Sequence, residues 1–134
     1  MLKKIDHIGI AVHSLDETIT FYRDMLDMAL LGIEEVAEQK VKVAMLQVGE
    51  SKIELLEPTS PDSPVARFLE KNGPGVHHLA YEVEDIDAAI VKLERDGARM
   101  IDRTPRNGAH GTRIAFIHPK SSNGVLTELC QMGH

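Results

Sequence analysis

Four residues in this sequence have the types and spacing to do metal chemistry: His7, Glu54, His78 and Glu128. Each histidine stands near the start of a strand-like run, 6-DHIGIAV-12 or 77-HHLAYEV-83. Each glutamate lies in an apolar one, 52-KIELLE-57 or 126-LTELCQ-131. Taken singly, a strand histidine is usually a surface or hydrogen-bonded residue, and a strand glutamate usually faces water. A carboxylate that is not exposed must be paired or metal-bound, because burying it bare is costly. Two neutral imidazoles and two carboxylates together suit a borderline divalent ion such as Co²⁺, Zn²⁺, Ni²⁺ or Mn²⁺. On an octahedral ion they leave two adjacent positions for water or a chelating substrate.

An internal repeat matches the four to one another. The segment 6-DHIGIAVHSLDETI-19 aligns with 77-HHLAYEVEDIDAAI-90 at an offset of 71, which sets His7 on His78. The same offset sets 42-KVAMLQ-47 on 113-RIAFIH-118, and an offset of 74 sets Glu54 on Glu128. Two copies are too few for a solenoid and read as a pseudo-symmetric pair. If the two sheets face one another, the four side chains converge on the pseudo-twofold axis. Neighbouring strand residues point to opposite faces, so His77 and His78 cannot serve one site. The repeat assigns the ligand role to His78, and His77 packs or hydrogen-bonds on the other face.

The elements that must position these residues follow from periodicity. Ile8, Ile10 and Val12 alternate with His7, Gly9 and Ala11, as on a strand with one aliphatic face. Ser14 to Glu17 forms a capping box that opens a helix through about Asp27. Strands are expected over 29–37, 41–48 and 52–57, with a turn at Gly49-Glu50. A linking helix opens at Ser63-Pro64 and stops near Gly73. The second half repeats the order, with a strand over 76–83, a helix over 85–96, and strands near 98–103, 112–117 and 125–131. The expectation is an α+β fold in which two βαβββ modules form a curved mixed sheet around a metal site, its helices on the outer face. It is a single domain over 1–134, with a first module at 1–60, a linker helix at 61–74 and a second module at 75–134.

Composition narrows the function. The chain is 43% hydrophobic and 27% charged, without a biased tract or an apolar run long enough for a membrane span. The start, MLKKIDHIG, lacks the apolar stretch of a signal peptide, and the single cysteine, Cys130, fits a reducing cytoplasm. Cys130 shares the strand parity of Glu128 and reads as a core filler. A net charge of −6 argues against general nucleic-acid binding. Residues 99–120 nevertheless carry Arg99, Arg103, Arg106, Arg113 and Lys120 against one acid, Asp102. Such a rim suits an anionic small molecule, although a solvated surface with chance clustering explains it equally well.

Over essentially its whole length the sequence resembles the vicinal oxygen chelate superfamily and, within it, the methylmalonyl-CoA epimerases. The resemblance is carried by DHIGIAV, GESKIELLEP, GPGVHHLAYEVEDIDAAI and GAHGTRIAFIHPKSSNGVLTEL. It implies paired βαβββ modules around one divalent metal, often cobalt, and a homodimer. The family's ligand positions fall on His7, Glu54, His78 and Glu128; the second is Gln in some relatives. The implied reaction interconverts (2R)- and (2S)-methylmalonyl-CoA through an enolate stabilised by the metal. Inversion needs a proton carrier on each side of C2. Glu128 is the first choice for one side. Some relatives place a second catalytic Glu where this chain has Val43, so Lys42, Glu54, a metal-bound water or a loop residue remains for the other. His110 in the loop 107–111 is a lid, a substrate contact or a plain turn residue. Lys120, Ser121 and Ser122 either hold the substrate carboxylate or CoA phosphates, or simply form a polar hairpin loop. Two rivals share the fold: a glyoxalase I-like lactoylglutathione lyase, and a metal-free drug-binding protein, which generally lacks the paired ligands.

Overall fold

The computed structural model describes residues 1–133. Strand β1 (Leu2–Ala11) leads to helix α1 (Leu15–Ile19), then β2 (Ala29–Val36), β3 (Val41–Val48) and β4 (Ser51–Pro58). Helix α2 (Pro64–Asn72) precedes β5 (Gly75–Val83), helix α3 (Ile86–Arg95), β6 (Arg106–Asn107), β7 (Arg113–Ile117) and β8 (Thr127–Gln131). The chain forms two compact units: His7–His77, and Met1–Asp6 together with the chain from His78 onward.

In the first unit β2, β3 and β4 form an antiparallel meander, and β1 lies parallel to β4. In the second unit β6, β7 and β8 repeat the meander, and β5 lies parallel to β8. Parallel neighbours need a crossover, and the intervening helix supplies it in each unit. The register repeats too. Gly9 pairs with Glu54 and Ala80 with Glu128, while Ala44 pairs with Leu55 and Ala115 with Leu129. Each of these positions is the other shifted by the offsets read from the sequence.

One face of each sheet packs beneath its helix. In the first unit Val12, Leu15, Ile19, Ala44, Leu46 and Leu55 form a dry cluster. In the second, Val83, Ile86, Ala89, Ile90, Met100, Ala115, Ile117 and Leu129 do the same. Burying a leucine such as Leu55 contributes about 1.5–3 kcal/mol. The helices are also tied to the strands by a shared device. The Leu15 backbone N–H donates to Glu57 Oε1 of β4 at 2.9 Å, and the Ile86 N–H donates to Gln131 Oε1 of β8 at 2.8 Å. Local caps add to this: Ser14 Oγ accepts from the Glu17 N–H and Asp85 Oδ1 from the Ala88 N–H.

Two elements differ from the sequence expectation. The first helix keeps α geometry only over Leu15–Ile19 and then widens into a π turn over Thr20–Met25. Thr18 and Thr20 donate their hydroxyls back to the Ser14 and Asp16 carbonyls, a contact that bends helices. The strand expected near 98–103 is reduced to a bridge between Met100 and Ile117. There the Asp102 carboxylate takes the Phe116 N–H at 2.9 Å, and the ladder resumes with β6 only after Pro105. A side chain thus takes one ladder position, beside the backbone bonds from Ile101 N–H to the Phe116 carbonyl and from His118 N–H to the Arg99 carbonyl. Among the described residues no helix is long and apolar enough to cross a membrane.

Candidate active site

The parity of β1 and β5 decides where the histidines point. Ile10 and Val12 join the cluster under α1, which leaves His7 on the opposite face with Gly9. In the first unit His7 Nδ1 lies 3.2 Å from Glu54 Oε2, and both residues are buried, 5% and 7% exposed. In the second unit His78 Nε2 lies 3.4 Å from Glu128 Oε1, and these are 5% and 4% exposed. The glutamate reaches its histidine because the parallel register sets it opposite the residue two positions beyond, Gly9 or Ala80. Gly9 and Ala80 are small and leave that face open for the imidazole. Each unit thus holds one buried imidazole–carboxylate couple, and the two couples are related by the repeat.

His77 goes the other way. Its ring meets Phe68 of α2 edge to face at 5.0 Å, and burial pushes its pKa down to about 4, so it is neutral at physiological pH. The two adjacent rings thus meet different neighbours, Phe68 for His77 and Phe116 for His78, as strand geometry predicts.

Around Glu128 the second unit builds an apolar wall. Ala80, Ile114, Phe116 and Cys130 cluster on this face, and the Phe116 ring meets His78 edge to face at 5.5 Å. Cys130 is buried and its thiol lies 3.6 Å from the Tyr81 carbonyl, in keeping with a core filler. In the first unit the corresponding wall comes from Val43, Met45 and Leu56, with Met45 opposite Glu54 in register.

The remaining expected site residues stand on β3 and in the loops on either side of β7. Lys42 alternates with Val43 and falls opposite Glu35 and Glu57, on the same side as Ala44 and Leu46, which pack under α1. Strand parity thus turns Lys42 away from Glu54. Ser121 and Ser122 are occupied in shaping their loop: Ser121 Oγ accepts the Arg99 N–H at 2.8 Å, and Ser122 donates its hydroxyl to the Val125 carbonyl. Lys120 is exposed, and its backbone N–H donates to His118 Nδ1. His110 is exposed at a left-handed position, φ +55°, in the loop before β7.

Two residues escaped the sequence reading. Glu34 of β2 stands opposite Val43 in register, so it shares the face of Met45 and Glu54. The signal for it lay in β2, where Gly32, Glu34 and Val36 alternate with Ile33 and Glu35, but a bulge between Leu30 and Gly32 concealed the phase. Arg106 lies over the Phe116 ring, 5.7 Å from its centre, and was counted only as part of a basic rim.

A βαβββ unit given twice, with a buried histidine and glutamate paired in each copy, defines a class of protein. The family model for the glyoxalase/bleomycin resistance protein/dioxygenase superfamily matches residues 6–116, and the chain belongs to that superfamily. Within it, the chain groups with methylmalonyl-CoA epimerases. It is 41% identical over 134 residues to the ethylmalonyl-CoA/methylmalonyl-CoA epimerase of Cereibacter sphaeroides, a match covering 98% of this chain and 100% of that one. A crystal structure of methylmalonyl-CoA epimerase from Mycobacterium tuberculosis superimposes with a TM-score of 0.96 at 40% identity, covering 99% of this chain and 90% of that one. A methylmalonyl-CoA epimerase in complex with methylmalonyl-CoA and NH4+ superimposes with a TM-score of 0.96 at 45% identity, covering 99% and 96%.

Proposed function

We propose that this protein interconverts (2R)- and (2S)-methylmalonyl-CoA, with His7, Glu54, His78 and Glu128 together holding one divalent metal ion. The observation that carries the reading is the buried His–Glu couple repeated at one register in both units, in a chain that groups with epimerases of this substrate. The donor set fits the ion. Two imidazoles and two carboxylates suit Co²⁺, Zn²⁺, Ni²⁺ or Mn²⁺, with cobalt our choice. Buried carboxylates also need a cation near them more than they need another dipole.

When bound, the ion would act as a Lewis acid on the substrate's oxygens and so acidify the C–H between the thioester and the carboxylate. The chain's own residues then do three things. Glu128, packed against the apolar wall of Ile114 and Phe116, takes or returns the C2 proton on one side. Glu34 serves the other side. It is the carboxylate that faces the same way as Glu54 from the strand next to Val43, and Lys42 faces the opposite way. Phe116 with its apolar cluster and the buried Met45 line these faces with apolar groups, which disfavour bare charge and water beside the reacting carbon.

The decisive measurement is exchange. Metal-loaded protein in deuterium oxide should incorporate deuterium at C2 of methylmalonyl-CoA as it interconverts the two forms. No exchange, with turnover of the hemithioacetal of methylglyoxal and glutathione instead, would move the assignment to a lactoylglutathione lyase. We further propose a cytoplasmic homodimer, in keeping with the single reduced cysteine and the family resemblance; sedimentation of the metal-loaded protein tests the dimer.

A further inference from the structure

The basic rim of residues 99–120 separates, once folded, into cations with different employment. Arg103 pairs with Glu94 at 2.8 Å, and Arg113 pairs with Asp87 of α3 through both terminal nitrogens at 3.1 and 3.2 Å. Arg113 alternates with Ile114 and so lies on the helix side of the sheet. Arg106 is placed differently. It pairs in register with Ile114, on the face that holds Ala80, Phe116 and Cys130, and its guanidinium lies over the Phe116 ring. That ring touches His78 and stands opposite Glu128.

Asp102 fixes this placement. One carboxylate oxygen accepts the Phe116 backbone N–H at 2.9 Å, and the other lies 3.2 Å from Arg106 Nε. The Asp102 side chain is only 14% exposed, whereas that of Arg106 is 40% exposed. Held by its Nε and supported by an aromatic face, the guanidinium keeps its terminal nitrogens for another acceptor. Such a planar pair of donors matches a carboxylate.

We propose that Arg106 binds the free carboxylate of the acyl group and so selects malonyl-type thioesters over neutral acyl-CoAs. This rests on the epimerase reading above. The site already contains the carboxylate of Glu128, and an anionic acyl group brought beside it, doubly charged once C2 is deprotonated, needs a compensating cation. Of the rim's cations, Arg106 is the one whose guanidinium lies over the Phe116 ring. Asp102 is a positioning residue that aims it.

The test uses the metal-loaded protein, the variants Arg106→Met and Arg106→Lys, and three probes: methylmalonyl-CoA, free methylmalonate and coenzyme A. Arg106→Met should raise KM for methylmalonyl-CoA about 10- to 100-fold, the loss expected for one charge-assisted hydrogen-bonded contact. It should weaken inhibition by methylmalonate equally while leaving inhibition by coenzyme A as it was. Arg106→Lys should recover part of the difference, which a variant that had merely lost its fold would not. Weaker binding of coenzyme A in Arg106→Met would instead place the guanidinium on a phosphate and overturn the proposal. Unchanged KM and unchanged methylmalonate inhibition would overturn it as well. Failure of the wild-type protein to exchange the C2 proton would count against the epimerase reading, and the methylmalonate titration would still decide the role of Arg106.

Discussion

The Glu57 carboxylate at the end of β4 accepts the backbone N–H of Leu15, the first residue of α1, at 2.9 Å. Gln131 at the end of β8 does the same for Ile86 and α3 at 2.8 Å. Each is a helix cap supplied from 42 or 45 residues away, so it ties the crossover helix to the sheet. Glu57→Ala and Gln131→Ala should each lower stability by about 1 kcal/mol, as loss of an N-cap does. Glu57→Gln should cost much less, since the amide oxygen can still accept. Urea titration of the three variants checks this; equal losses in Glu57→Gln and Glu57→Ala would mean that charge, not the hydrogen bond, is the source.

Strand parity makes a sharp distinction between the adjacent histidines. Metal content measured after dialysis should collapse in His78→Ala and persist in His77→Ala. The second variant should instead be less stable, by about 0.5–1.5 kcal/mol for the edge-to-face contact with Phe68 plus the burial lost. Retention of metal by His78→Ala would show that the couple with Glu128 is structural only.

The two proposed proton carriers, Glu128 and Glu34, can be tested separately by counting products. Glu34→Gln should retain the fold and the metal but epimerise at least about 100-fold more slowly, the usual contribution of a positioned acid or base. It should still exchange deuterium into the stereoisomer served by Glu128. Full epimerase activity in Glu34→Gln would exclude Glu34 and return the second role to Glu54 or a water.

A surface ion pair gives a pH signature. The Lys40 ammonium and the Ser60 hydroxyl both bond to Asp62, and these hydrogen bonds lower its pKa from the ordinary 3.8 to about 2. Because the folded value is the lower one, the unfolded chain takes up this proton first as pH falls. The contribution is therefore complete above about pH 4 and disappears as pH falls through about 2. The difference in thermal stability between the protein and Asp62→Asn should shrink over that interval. A difference independent of pH would assign the effect to packing.

Glycine at position 108 is required by contact. A Cβ there would stand 2.7 Å from both Ile114 Cγ2 and Thr112 Oγ1. Gly108→Ala should shift the turn between β6 and β7 and cost about 1–3 kcal/mol, the range for overpacking. Gly108→Ala combined with Ile114→Ala should recover stability relative to the sum of the single changes; strict additivity in a double-mutant cycle would argue against the contact.

Much of this architecture is legible in the chain because the repeat is. A histidine and a glutamate at matched offsets carry their own control, and period-two alternation alone sends His77 and His78 apart. The same alternation would have turned Lys42 from the site, had it been applied to β3 as it was to β1. What could not be read are features made by side chains acting as backbone. Asp102 occupies the ladder position expected of a strand residue, and two threonines bond back to the carbonyls of the first helix where it passes into a π turn. The bulge in β2 hides Glu34, since one extra residue exchanges the faces of everything on one side of it. The Glu57 and Gln131 caps were visible only as aligned strand ends.

Strand β1 contributes its first five residues to a unit whose other residues begin at His78, and Lys3 pairs there with Glu82 at 3.0 Å. Residues Met1–Asp6 therefore belong with residues some seventy positions further along the chain. On the ribosome the opening segment must wait, without its neighbours, while some seventy residues of the other unit emerge and fold around their own core. Assembly of the second unit is consequently a late, long-range event, with a large loop to close before the first residues of β1 gain their partners. Changes to the first few residues should be felt in how fast and how completely the carboxyl-terminal half folds.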